Sequence, residues 1–156
     1  MISRSLLSLF VLSLLAFSSC KKDDEFDPQE QRTIDETAIQ KYLNDRDWES
    51  TRTASGLHYI IEEEGNGVNP TFSSTVTVNY TGKLTNGEIF DQNTNGPATF
   101  PLQGVIQGWQ EGIPLFKEGG SGILLIPSHL GYGRTGSGSV PANAVMVFEI
   151  DLLLVE

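Results

Sequence analysis

The distribution of glycine constrains this chain more than any other feature. All 16 glycines fall between Gly56 and Gly138, and residues 1–55 contain none. Glycine supplies the backbone conformations that tight turns need, and it weakens helix interiors. The chain therefore has a leading part without glycine turns and a following part that turns often. A length of 156 residues allows one domain of ordinary core size plus some extra chain. An apolar content of 38% is too high for a chain disordered throughout. The formal charge of −10 argues against a nucleic-acid partner, because phosphate binding needs clustered Lys and Arg. One cysteine, Cys20, excludes an intramolecular disulfide framework and a multi-thiolate zinc site.

Residues 1–19 read as an address rather than as structure. Arg4 gives a short positive segment, and Leu6 to Phe17 is apolar apart from Ser8 and Ser13. A spanning helix needs about 20 apolar residues, so this stretch fits the hydrophobic region of a signal peptide. Small residues Ser18 and Ser19 precede Cys20. The arrangement resembles the lipobox of bacterial lipoproteins, which implies lipid attachment at Cys20 and a membrane partner through that lipid. Loss of residues 1–19 removes one cation, Arg4, and no acid, leaving nine Lys and Arg against 20 Asp and Glu. The run Lys21-Lys22-Asp23-Asp24-Glu25 resembles the surface-export signal of some Bacteroidetes lipoproteins, and a solvated tether accounts for it equally well. The expected location is the cell envelope, anchored to the outer membrane on its periplasmic or its surface face.

Residues 20–32 are polar without apolar period and read as an acidic tether. Thr33 and Glu36 fit a capping box, and Asp35 and Glu36 suit the positive end of a helix dipole. Ile34, Ala38, Ile39, Tyr42 and Leu43 make one apolar stripe, which predicts a helix over 34–45. That stripe needs cover, either by docking on the following domain or, less simply, by a second copy. Residues 33–56 are thus an N-terminal helix and linker.

From residue 57 the period becomes two. Leu57, Tyr59 and Ile61 alternate with less apolar neighbours, as do Val76, Val78 and Tyr80. Thr85-Asn86-Gly87 is a hairpin signal leading to a short strand over Glu88 to Asp91. Phe100 to Leu102 is a further strand fragment. Val105 to Phe116 carries the one helical pattern of this half, with Val105, Ile106, Trp109, Ile113 and Phe116 on one face. Gly122 to Ile126 and Ala144 to Val155 are strands, separated by a Gly/Ser/Pro loop over 128–143 of a length that usually serves function. The elements make an α+β domain over 57–156, a sheet with one face covered by a helix.

Taken together these segments resemble the FK506-binding-protein family of peptidyl-prolyl isomerases. The resemblance rests on Val76-Thr77-Val78-Asn79-Tyr80-Thr81-Gly82, Gly87-Glu88-Ile89-Phe90-Asp91, and Val105-Ile106-Gln107-Gly108-Trp109-Gln110-Glu111-Gly112. Ile126-Pro127-Ser128, Leu130-Gly131-Tyr132-Gly133, Val140-Pro141-Ala142-Asn143 and Val147-Phe148-Glu149-Ile150-Asp151-Leu152 follow in the same order. It implies a five- or six-stranded antiparallel sheet wrapped around one short helix, here preceded by an N-terminal helix, with a pocket between helix and sheet. Carried over residue by residue, Trp109 is the floor beneath a proline ring, and Tyr80, Phe90, Phe100 and Phe148 are walls, with Val105 beside them. Asp91 helps orient the amide, the Ile106 backbone N–H holds one substrate carbonyl, and the Tyr132 hydroxyl donates to another. Taken alone, the spacing makes the aromatic residues core and Asp91 a turn-capping residue. Ala98 stands where some members carry an aromatic, and Ser137 and Ser139 where several carry bulkier groups.

The implied reaction needs no cofactor. Rotation about an X–Pro bond faces a barrier of about 18–20 kcal/mol set by amide resonance. The ground-state preference for trans is only about 0.5–1 kcal/mol. A catalyst has only to bind the twisted amide better than the planar one. The twisted carbonyl is less dipolar, so an apolar aromatic cleft favours it. The expected partners are proline-containing polypeptides and ligands of the FK506 and rapamycin type. A non-catalytic binding or chaperone module using the same groove is the alternative. A metal or nucleophile enzyme has little support: His58 and His129 are far apart in sequence and read as exposed strand and loop residues, with no ligand cluster around them.

Overall fold

The structure is a computed structural model that describes residues 26–156. The signal segment, Cys20 and the first part of the tether lie outside the described residues.

A 17-residue helix α1 (Pro28–Asn44) comes first. It starts six residues before the expected position. Asp27 caps it by accepting the Gln29 N–H at 2.8 Å, and Pro28 occupies the first turn, where its missing N–H costs nothing. The expected capping box at Thr33 and Glu36 is not formed. The Thr33 hydroxyl donates to the Gln29 carbonyl inside the helix, and Glu36 reaches outward to Arg52 and His58. Residues 28–32 are accordingly helix rather than tether. The buried stripe is also rotated from the expected one: Asp35, Ile39, Tyr42 and Leu43 face inward, and Ile34 is 54% exposed.

Seven antiparallel strands follow: β1 (Thr51–Arg52), β2 (His58–Glu63), β3 (Thr75–Leu84), β4 (Ile89–Gln92), β5 (Ala98–Pro101), β6 (Ser121–Ile126) and β7 (Met146–Val155). The sheet order is β1-β2-β6-β7-β3-β4, and β5 pairs the first half of β3 while β4 pairs the second. The two-residue β1 lies within the segment expected to be linker. The Thr85-Asn86-Gly87 turn joins β3 to β4 as expected, with Gly87 at φ 90° and the Asn86 side chain accepting the Glu88 N–H.

Between β5 and β6 the expected helix over 105–116 is shorter and broken. A 3₁₀ turn (Leu102–Gly104), helix α2 (Gln107–Gly112) and another 3₁₀ turn (Ile113–Leu115) share the segment. Pro114 has no N–H to continue the α-helical bonding. The 128–143 loop opens with a 3₁₀ turn at Ser128–Leu130.

The core divides at the sheet. Alternation along β6 and β7 sends Leu124, Ile126, Met146, Phe148, Ile150 and Leu152 to one face, where they pack with Leu57, Trp109, Ile113 and Phe116. Ile123, Leu125, Val145 and Val147 point to the other face and meet Ile39, Tyr42 and Leu43 of α1. Both faces are therefore covered, one by α2 and the other by α1, where a single covered face was expected. The apolar stripe of α1 docks on its own domain.

His58 differs from its expectation as well. It is 2% exposed at the start of β2. Its Nδ1 lies 2.8 Å from the Ser50 hydroxyl and its Nε2 lies 3.2 Å from Glu36 Oε2. A carboxylate only accepts, so Nε2 donates toward Glu36, and Nδ1 shares its hydrogen bond with the Ser50 hydroxyl. Glu36 also receives the Arg52 Nε–H at 2.9 Å and the Gln40 amide at 3.0 Å. Burial alone would raise the Glu36 pKa; the bonds from Arg52, Gln40 and His58 outweigh it and hold the carboxyl below its ordinary value.

Candidate active site

A cleft of about 310 Å³ opens between α2 and the inner face of the sheet. Its geometry starts from the close seating of α2. A Cβ at Gly108 would fall 2.5 Å from Ile126 Cγ2, and one at Gly112 would fall 2.5 Å from Leu124 Cδ1. Only glycine at these two positions lets so short a helix lie directly on β6. That approach sets Trp109, 4% exposed, into the middle of the aromatic residues.

Trp109 meets Tyr80 at a ring-centroid distance of 5.2 Å and 88°, Phe148 at 5.2 Å and 80°, and Phe100 at 5.7 Å and 88°. These are edge-to-face contacts, which match the positive edge of one ring to the negative face of another. The indole N–H is buried and meets no acceptor among the described residues, so ring packing alone anchors the floor.

Of the nine residues expected in the pocket, eight line it: Tyr80 on β3, Asp91 on β4, Phe100 on β5, Val105 and Ile106 before α2, Trp109 on α2, Tyr132 in the long loop, and Phe148 on β7. Phe90 does not. It stands behind the wall, edge-on to Phe148 at 5.4 Å and 88°. Gly104 lines the cleft and was not expected there.

Asp91 is exposed at the rim. Its Oδ2 accepts the Tyr80 hydroxyl at 2.8 Å. Burial, that bond, and the charge of Asp91 push the Tyr80 pKa up to about 12. The phenol therefore stays protonated at any physiological pH and fixes the carboxylate at one corner of the opening. The Ile106 N–H finds no acceptor among the described residues, which leaves a backbone donor at the edge of an apolar cleft. Tyr132 lines the same cleft and is 37% exposed.

Asn93 also holds the edge of the cleft, though nothing in the sequence singles it out. Its Oδ1 accepts the Tyr80 backbone N–H at 2.6 Å, and its Nδ2 donates to Asn79 Oδ1 at 3.1 Å and to the Gly96 carbonyl at 2.8 Å. It pins the 93–96 loop to β3 beside the cleft. An asparagine in a polar loop looks like an ordinary turn residue, and only its pairing distinguishes it.

Residues 67–153 match the model of the family described as FKBP-type peptidyl-prolyl cis-trans isomerase. The FKBP-type peptidyl-prolyl cis-trans isomerase FkpA of Aeromonas hydrophila is 48% identical over 106 residues, covering 67% of this chain and 40% of that protein. The chain thus spans well under half the length of this relative. Among solved structures, FkpA from Escherichia coli superposes with a TM-score of 0.72 at 36% identity, covering 82% of this chain and 62% of that one. A peptidyl-prolyl cis-trans isomerase from Pseudomonas syringae pv. tomato also gives 0.72 at 28% identity, covering 85% of this chain and 98% of that one. With a family match over more than half its length and the same sheet and short helix, the chain belongs to the FKBP-type peptidyl-prolyl cis-trans isomerase family.

Proposed function

We propose that this chain is a peptidyl-prolyl cis-trans isomerase acting on proline-containing segments of cell-envelope proteins. The observation that carries the reading is the Trp109 floor, ringed edge-on by Tyr80, Phe100 and Phe148 and open on one side. A proline ring laid on that floor leaves its preceding amide among carbon atoms. The planar amide, with its larger dipole, loses more than the twisted amide on leaving water, so the cleft lowers the rotational barrier by differential binding. Ile106 N–H and the Tyr132 hydroxyl hold flanking carbonyls, while Asp91, tied to Tyr80, orients the rotating group. No proton transfer or cofactor enters this scheme.

The test is acceleration of cis/trans exchange in a short X–Pro peptide by the full chain in mild detergent, with and without FK506 or rapamycin. Catalysis suppressed by either compound supports the reading. A well-folded chain without catalysis, yet still suppressing client aggregation, supports the non-catalytic binding module instead.

The envelope location rests on the 6–17 apolar stretch followed by Cys20, and on the acidic segment beyond it. Among the described residues, no helix is long and apolar enough to cross a membrane. The proposed attachment is a lipid at Cys20. Incorporation of labelled fatty acid that is lost in Cys20→Ser checks it, and protease access on intact cells assigns the membrane face.

A further inference from the structure

We propose that Asp35 of α1 is a positioning residue for the cleft, holding the root of the loop that presents the Tyr132 hydroxyl. The inference rests on the isomerase reading above. Asp35 is 1% exposed on the helix that covers the opposite face of the sheet. Its Oδ2 accepts two hydrogen bonds from Ser128, the backbone N–H at 2.9 Å and the hydroxyl at 2.7 Å. Its Oδ1 accepts the Gln31 amide at 2.7 Å. No ion pair among the described residues includes Asp35. A carboxylate buried without a cation is costly unless hydrogen bonds satisfy it. The inward stripe of α1 otherwise carries Ile39, Tyr42 and Leu43, so an apolar residue would suit packing alone. What the carboxylate adds is two directed bonds to one loop residue.

That residue controls the backbone on both sides of Tyr132. The Ser128 carbonyl accepts from Gly131 N–H at 3.0 Å and from Gly133 N–H at 2.9 Å. Tyr132 lies between these two amides and is itself 37% exposed, so little packing of its own holds it. A second contact ties α1 to the same loop: the Arg134 guanidinium sits 4.2 Å from the ring centroid of Phe26, just ahead of the helix. A continuous path of bonds therefore runs from α1 through Ser128 to the rim of the cleft. The helix on the far face steadies the side of the site that lacks packing of its own.

The test uses the full chain in mild detergent, with kcat and KM for an X–Pro peptide and amide hydrogen exchange read together. Asp35→Ala is expected to lower kcat/KM about threefold to tenfold, mainly through KM, because Tyr132 contributes to holding the peptide. Asp35→Asn is expected to recover most of the loss: its Oδ1 still accepts from Ser128, and Gln31 can turn to accept its Nδ2. Tyr132→Phe is expected to lose a similar factor, and Asp35→Ala added to it to lose no more. In Asp35→Ala the Gly131 and Gly133 amides exchange about tenfold faster, with β6 and β7 unchanged. Losses that multiply in the double variant, or unchanged kcat/KM in a folded Asp35→Ala, would overturn the proposal. Should Asp35→Ala not fold, Ser128→Ala takes its place. A smaller loss that disappears in the Tyr132→Phe background supports the proposal, and full activity overturns it. An inactive wild type overturns the isomerase reading alone, and the exchange of Gly131 and Gly133 still decides whether Asp35 anchors the loop.

Discussion

The two faces of the sheet are covered by helices of opposite character. On the inner face, six-residue α2 carries two glycines and lies so close that it leaves the aromatic rings beside it partly open. On the outer face, 17-residue α1 has no glycine and closes its apolar contact with Ile123, Leu125, Val145 and Val147. Polar bonds at its margins, Asp35 to Ser128 and Glu36 to His58 and Arg52, fix where it lies. A short helix seated by small residues makes a cleft, whereas a long helix seated by large residues makes a cover. On the proposed reading, the chemistry belongs to the first and the support of the loop to the second.

The largest effect is expected at the inner face. Trp109→Ala removes the floor and should cost roughly 3–5 kcal/mol of stability, as burying-site Trp losses do, together with nearly all catalysis. Denaturant unfolding and the peptide assay measure the two losses. Leu43→Ala on the outer face should cost roughly 2–3 kcal/mol by unfolding, with kcat/KM within about twofold of wild type below the transition. Equal catalytic losses in both variants would erase the distinction between the faces. Asp91→Ala should reduce kcat/KM severalfold with under about 1 kcal/mol of stability lost, because the side chain is exposed at the rim.

The smallest effects are those of pH, and they separate the faces again. The Tyr80 pKa is raised to about 12, so the folded chain holds that proton more tightly than the unfolded chain does. Its contribution is fully present below about pH 10 and is lost as pH climbs toward 12. Glu36 is lowered, so its contribution is present above the ordinary Glu range and is lost as pH falls through the folded value. Thermal unfolding should show the acid loss diminished in Glu36→Gln and the alkaline loss diminished in Tyr80→Phe.

Much of the strand pattern was legible because alternation and turns are local signals. Leu57, just ahead of β2, and Tyr59 and Ile61 on it fall inward, and the unbroken apolar run of β6 reflects burial on both faces. The second cover was harder to see, since nothing in the run from Gly122 to Ile126 names what lies on either side. The start of α1 was hidden because Asp27 and Pro28 sit in a polar stretch that resembles a tether. Asp35 was read as a dipole charge, and Ile34 as part of the stripe, because hydrophobicity made the isoleucine look inward. The partner that reverses this, Ser128, is 93 residues away in sequence. The aromatic pocket came from family resemblance, since spacing alone could not separate cleft from core among Tyr80, Phe90, Phe100 and Phe148. Phe90 marks the difference: it packs against the wall from behind.

The cleft over Trp109 is proposed to catalyse X–Pro rotation by favouring the twisted amide. The most direct measurement is the rate of cis/trans exchange in a short X–Pro peptide with the full chain, compared with Trp109→Ala. Clear acceleration by the wild type, inhibition by FK506 or rapamycin, and nearly complete loss in the variant are expected. A folded wild type that leaves the exchange rate at its uncatalysed value would contradict the proposal.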